Sequence, residues 1–332
     1  MLVSNDYSPA APFTEWYGFP AGSATCSVTC FSPSSLSLPI KWNLHPADEG
    51  SRRHPVLVNL IRHEPTGKLA LFDLGLGKNW ASFLRPEQMP TFESFEIDVE
   101  KEVVDVLAEK GIKPKDIELV VLSPTPFSPV SFLSLSIIIG PNELSGISPK
   151  QFEGRNALIQ ELSWQHDPHT RIGTFEHSYD VWGDGSFLIV STPGHTEGHV
   201  AALVRTGAPS DSSSDSSSTC SSSSDAEYVL LAADCAHANE FFTGRPEHNH
   251  FTLGRWRNPG DPLDRPPMHS NYEDFPLASA TLERLKALNK REDVLVVLAH
   301  NPEQWASWGS GREGCGVELR GWRKKGMKGL SL

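Results

Sequence analysis

SFLIVSTPGHTEGHVAALVR, residues 186–205, is the stretch on which the fold turns. Ser186 to Val190 is a short apolar run after the tight turn Gly183-Asp184-Gly185, and Val200 to Arg205 is a second run. Short apolar runs bounded by turn residues read as strands buried on both faces. The loop between them holds two glycines, His195 and His199. The unit is a strand, a loop and a strand, with an imidazole placed just past a strand end.

The same pattern recurs on either side. Val56 to Ile61 and Leu69 to Asp73 flank Pro65-Thr66-Gly67, a hairpin signal, and the second run enters the glycine turn of FDLGLG. Val99, Val103, Val104, Val106 and Leu107 recur at helical spacing over Val99 to Lys110, with Gly111 as the stop. Leu119 to Leu122, Ile137 to Ile139, Tyr228 to Ala232 and Val294 to Leu298 are further strands. Residues 277–289 form an amphipathic helix through Leu277, Leu282, Leu285 and Leu288. The irregular parts are residues 1–50, an arm or early strands packed on the core, residues 144–180, a loop or lid, and a tail over 306–332. The main domain spans 51–305. Within it APSDSSSDSSSTCSSSSDA, residues 208–226, is too polar to bury a core and reads as a disordered surface insertion between paired strands.

Composition narrows the function classes. A chain of 332 residues, 38% hydrophobic, is long enough for one large α/β domain, and 26 Gly with 26 Pro imply many turns rather than a helical bundle. No apolar run is long enough to span a membrane, and MLVSNDYSPAAPF lacks the basic start and apolar core of a secretory signal. A cytoplasmic location is expected. Cys26, Cys30, Cys220, Cys235 and Cys315 are odd in number and scattered, which argues against a disulfide framework. The net charge of −12 argues against nucleic acid as partner. The basic cluster from Arg320 to Lys328 reads as a solvated tail.

Three strand exits carry groups suited to a divalent metal: His195 after Val190, Asp234 after Ala232 and His300 after Leu298. Imidazole and carboxylate suit zinc, and an open coordination position lowers the pKa of bound water toward neutrality. A lone histidine after a strand is more often a packed core residue, and an aspartate there is commonly a turn or cap residue. Their ordered recurrence at three exits is what points to a site.

FDLGLG at 72–77, TPGHTEGH at 192–199, LLAADCAH at 230–237 and VVLAHN at 296–301 together resemble, in order, the motifs of the metallo-β-lactamase superfamily. FEGR at 152–155, WGDGS at 182–186 and DCAHANEFF at 234–242 are similar to fungal members of its N-acyl homoserine lactonase-like branch. The resemblance implies an α/β architecture, an αββα sandwich of two mixed β-sheets flanked by helices. It also implies a two-metal site in which His195 serves the first ion, Asp234 bridges, His300 serves the second and Asp73 lies beneath. His199 and His237 receive no ligand role from it and fall to the pocket wall or behind the ligands.

One motif departs from the family. In LVVLSPTPFSPVS, residues 119–131, Pro124, Pro126, Ser128 and Pro129 stand where the family's S-H-x-H-x-D-H loop has His, His, Asp and His. Proline has no donor atom, and a serine hydroxyl is a poor ligand beside a carboxylate. Four of seven implied ligands are lost, so the expectation is one zinc ion at most, or none. Three prolines also stiffen the loop, which either fills the emptied pocket or leaves it open. The expected function is hydrolysis of a small-molecule lactone, ester or thioester, with Asp234 as the catalytic group orienting the attacking water. The alternative is a metal-free relative that binds a small molecule, or an acid/base catalyst using His195, His237 or Asp234. No membrane partner is expected, and oligomeric state stays open.

Overall fold

Strand alternation sorts the apolar residues into an interior layer and two outer layers. The computed structural model describes residues 15–47, 49–84, 89–93, 95–123, 136–146, 158–166, 170–208, 226–258, 260–264, 267–309 and 316–328. In chain order the strands begin with β1 (Cys26–Pro39), β2 (Leu44–His45), β3 (Ser51–His63), β4 (Leu69–Phe72), β5 (Ile97–Val99), β6 (Ile117–Leu122), β7 (Ser136–Ile139) and β8 (Leu158–Glu161). They continue with β9 (Ser178–Asp180), β10 (Phe187–Ser191), β11 (Val200–Gly207), β12 (Glu227–Ala233), β13 (Thr252–Leu253), β14 (Val294–Leu298) and β15 (Val317–Glu318). The helices are α1 (Ile40–Asn43), α2 (Met89–Phe92), α3 (Val103–Glu109), α4 (Phe275–Asn289) and α5 (Pro302–Ser307).

Among the described residues, one sheet runs β15-β1-β3-β4-β6-β7-β8, with β5 also on β1, a second runs β14-β12-β11-β10-β9, and β13 with β2 makes a small third. The first two are mixed: β4, β6, β7 and β8 pair in parallel, as do β12 and β14, while the remaining pairs in these two sheets are antiparallel. Between the sheets, Val28, Ile61, Phe72 and Val121 of the first meet Ile189, Val204, Val229 and Val297 of the second. On the outer face of the first sheet, Val103, Val106 and Leu107 of α3 cover Leu71, Val120 and Ile137. On the outer face of the second, Leu282, Leu285 and Leu288 of α4 cover Leu188, Leu203 and Leu230. Each fully buried side chain of this kind contributes roughly 1.5–3 kcal/mol. The order of layers is helix, sheet, sheet, helix, the αββα sandwich expected.

Several sequence readings change. Of the two readings of residues 1–50, early strands hold for residues 26–39, which form β1 and pair with β3 over most of its length, with a bulge between Phe31 and Ser34. Its residues Cys26, Val28 and Cys30 lie between the sheets, where alternate positions of a strand must fall. The 144–180 region contributes β8 and β9 rather than only a loop. Nor are residues 316–328 a solvated tail: β15 pairs with β1, and Leu319, Trp322 and Met327 pack into the inter-sheet core. Lys328 donates to the carbonyls of Arg291 and Val294. Val99 ends β5, and α3 starts at Val103 behind Glu102, whose amide donates to Asp105 Oδ2 at 3.0 Å. In α4 the buried stripe passes through Ala278, Leu282, Leu285 and Leu288, whereas Leu277 is 39% exposed. The serine-rich insertion lies almost wholly outside the described residues, and the pairing Gly207↔Glu227 brackets it.

Candidate metal centre

The C-terminal ends of β4, β6, β10, β12 and β14 carry the site, the usual place for chemistry at a sheet edge. At β4, Asp73 follows Phe72 with φ 62 and accepts from Ser123, from the amide at 2.8 Å and from Oγ at 2.9 Å. Ser123 is the residue just past β6, so Asp73 locks two parallel strands together at their ends. Burial pushes its carboxyl up to about 7. Pro124, Pro126, Ser128 and Pro129, and FEGR, lie outside the described residues.

The loop after β10 is fastened to the start of α4. His195 and Gly194 supply carbonyls to the amides of Glu273 and Asp274 at 3.1 and 3.0 Å, and Thr281 Oγ1 donates to Pro193 O at 2.8 Å. Gly194 has φ +131, and a Cβ there would stand 2.3 Å from the Ala278 amide nitrogen. Gly194→Ala should therefore cost about 2–4 kcal/mol, since it adds both backbone strain and overlap with backbone that has no room to move. Chemical denaturation would measure this, and a loss below about 0.5 kcal/mol would show that the loop is not held this closely.

Asp234 sits one residue beyond β12, after Ala233 at φ 47. Its amide donates to His199 Nε2 at 3.3 Å, so the His199 proton is on Nδ1, which donates to the Thr192 carbonyl at 3.1 Å. Burial lowers His199 to about 4, which keeps the ring neutral and fixes this tautomer. His199 thus ties the β10 exit to the β12 exit.

His300 is oriented from behind. Its Nδ1 donates to Pro55 O at 2.8 Å, and its own carbonyl accepts from His54 Nδ1 at 2.6 Å. His54 Nε2 in turn accepts from Asn43 Nδ2 at 2.9 Å, and burial lowers His54 to about 3. His300 Nε2 is thereby turned to Asp234 Oδ1, 3.0 Å away. His237 reaches the same oxygen, its Nε2 3.2 Å from Asp234 Oδ1 and its Nδ1 3.0 Å from the hydroxyl of the fully buried Tyr272. The His237 and His300 rings are stacked, 5.4 Å apart and 8° from parallel. His195 Nε2 lies 3.9 Å from the other oxygen, Asp234 Oδ2.

Of the residues chosen from the sequence, His195, Asp234 and His300 all face one another, and Asp73 lies behind them. The tightest group is different: Asp234, His237 and His300 each offer an atom within 4.8 Å of the others. Sequence reasoning assigned His237 no ligand role and did not single out His54. The only available signal for His237 was its spacing, Asp234-Cys235-Ala236-His237, which a turn folds onto one side. Tyr272 is a core residue whose hydroxyl serves His237, while Trp164 and Trp182 pack against the inter-sheet core.

Burial alone would raise the Asp234 carboxyl, but the facing His300 and His237 imidazoles hold it well below the usual carboxylate range. Burial alone would lower His300, and Asp234 raises it above the ordinary imidazole value instead. Burial lowers His195 to about 3, leaving a neutral ring. Although two imidazole nitrogens crowd Asp234 Oδ1, that buried atom makes no hydrogen bond of acceptable geometry, and buried His195 Nδ1 has no partner. Buried polar atoms without hydrogen bonds are costly, so the donors are aimed at a shared point rather than at each other. A carboxylate ringed by imidazole nitrogens in this arrangement fits a divalent ion.

Two mixed sheets face to face, helices outside them and a half-buried carboxylate among imidazoles at the strand ends define an αββα protein of metallohydrolase architecture. No family model matches the chain. A gamma-lactamase of Gibberella moniliformis is 31% identical over 185 residues, covering 50% of this chain and 70% of that protein. A gamma-lactamase of Fusarium pseudograminearum is 26% identical over 275 residues, covering 70% of this chain, which spans 61% of that relative's length. The crystal structure of an N-acyl homoserine lactone hydrolase, with its product N-hexanoyl-L-homoserine at the catalytic metal centre, superposes with a TM-score of 0.56 at 17% identity, over 85% of this chain and 96% of the other. The chain belongs to the metallo-β-lactamase superfamily, in its N-acyl homoserine lactonase-like branch.

Proposed function

We propose that this protein is a metal-dependent hydrolase of a small-molecule lactone or related acyl compound, an ester, thioester or lactam. The observation that carries the reading is the convergence of the half-buried Asp234 with His195, His237 and His300 at the strand ends. The names of the gamma-lactamase relatives and of the lactone hydrolase structure support ring-opening of a cyclic acyl group.

A bound divalent ion would supply Lewis acidity toward the substrate carbonyl and activation of water. Asp234 is the carboxylate that would orient the attacking water. His199 fixes the Asp234 backbone, His54 and Pro55 fix His300, and the α4 start fixes the His195 loop. These contacts hold the reacting groups without rearrangement during turnover, which is how an enzyme gains from preorganisation.

The test is turnover by the purified full chain of γ-butyrolactone, N-hexanoyl homoserine lactone, 2-pyrrolidinone and a simple thioester. Hydrolysis of at least one is expected, lost on chelation and restored by added zinc. No hydrolysis of any of them would sink the reading. The loss of four donors at Pro124, Pro126, Ser128 and Pro129 favours a second reading, metal-free acid/base catalysis. Turnover that ignores chelators yet disappears in Asp234→Asn would select it.

A further inference from the structure

We infer that His237 is a metal ligand which replaces donors absent at Pro124, Pro126, Ser128 and Pro129, making a one-ion centre built on Asp234, His237 and His300. This shares its ion with the hydrolase reading but does not depend on which reaction the ion serves. The first support is proximity: these three residues form the group whose donor atoms lie within 4.8 Å of one another, while His195 approaches only the other carboxylate oxygen. Two imidazoles and a carboxylate are a sufficient protein set for a catalytic zinc, with a position left for water or substrate.

The second support is orientation. A metal-bound imidazole normally has its other ring nitrogen hydrogen-bonded, which fixes the tautomer and aims the lone pair. His300 and His237 both show this, through Pro55 O and the Tyr272 hydroxyl respectively, and both present Nε2 inward. Tyr272 is itself anchored, its amide donating at 3.2 Å to Ser270 Oγ, which donates to Gly254 O.

The competing explanation is a plain ion pair between Asp234 and His237. An ion pair whose acceptor atom is shut off from solvent should be hydrogen-bonded, because desolvation is otherwise not offset. Asp234 Oδ1 is instead unbonded by geometry, with two Nε2 atoms 3.0 and 3.2 Å away. A cation placed among the three removes that conflict, since each then donates a lone pair to a common centre.

Zinc stoichiometry and affinity of the full-length protein, read by chelator competition, decide the matter. The wild type is expected to hold a single ion. His237→Ala should weaken zinc more than roughly 100-fold, beyond what losing a supporting partner costs, and as severely as His300→Ala. Tyr272→Phe, which leaves the ring in place and removes the hydroxyl, should weaken it about 10–100-fold. Cobalt substitution adds a second readout, an absorption band altered in His237→Ala. If His237→Ala fails to fold, as judged by circular dichroism of the metal-free protein, Tyr272→Phe carries the decision. Wild-type affinity in these variants, no bound zinc or two bound ions would overturn the inference. Chelator-sensitive hydrolysis with His237→Ala affinity unchanged would remove this inference alone. Tight zinc binding through His237 without hydrolysis of any acyl substrate would remove the hydrolase reading alone.

Discussion

On the metal-dependent hydrolase reading proposed above, Asp234→Asn should lower kcat/KM by about 10²–10⁴-fold, the range for losing a positioned acid/base group, and should weaken metal binding as well. Both effects come from one atom exchange. The carboxylate is the single anion facing three imidazoles, and Asn offers a neutral carbonyl oxygen and an N–H2 donor in its place. An amide donor has nothing to give a cation, and its hydrogens would point at nitrogen lone pairs that a metal would otherwise fill. The diagnostic is therefore a protein with an intact circular dichroism spectrum, depleted of metal and inactive. An Asp234→Asn protein with wild-type metal content and activity would displace Asp234 from the centre of the site.

How much of this was readable beforehand follows from what burial does to sequence. Strands such as β4, β6, β10 and β12 are covered on both faces, so Leu69–Phe72, Ile117–Leu122, Phe187–Ser191 and Glu227–Ala233 are nearly continuous apolar runs. Their exits could be located, and with them His195, Asp234 and His300. β1 was hard to delimit because Pro33 and five serines hide its alternation, although Cys26, Val28 and Cys30 mark the buried face. The C-terminal segment escaped for another reason: in RGWRKKGMKG the basic residues outnumber the buried Trp322 and Met327, yet those two decide where the segment packs. His237 escaped because the family resemblance gave it no ligand role, while its position depends on the turn after β12 and on Tyr272, 35 residues away.

Arg205→Met should destabilise the fold by about 3–5 kcal/mol while leaving the metal centre's residues untouched, because its guanidinium is a buried clamp rather than a surface charge. Arg205 lies on β11 with no exposed surface. Its Nη1 donates to Ala24 O at 3.0 Å, its Nη2 to Pro20 O at 2.6 Å and Ala21 O at 3.3 Å, and its Nε to the Tyr228 hydroxyl at 3.3 Å. One side chain therefore gathers three carbonyls of the chain leading into β1 and pins them to the second sheet. Methionine fills much of the space but leaves the part-buried Pro20 and Ala24 carbonyls without their donor, at up to about 1–3 kcal/mol each, while the exposed Ala21 carbonyl can turn to water. Lysine keeps the charge yet lacks the planar fork, so Arg205→Lys should recover only part of the loss. Urea unfolding should show a lower midpoint at an unchanged slope, with activity per folded molecule and zinc affinity preserved. A midpoint within about 0.5 kcal/mol of the wild type would show that the 20–24 segment holds its place without the clamp.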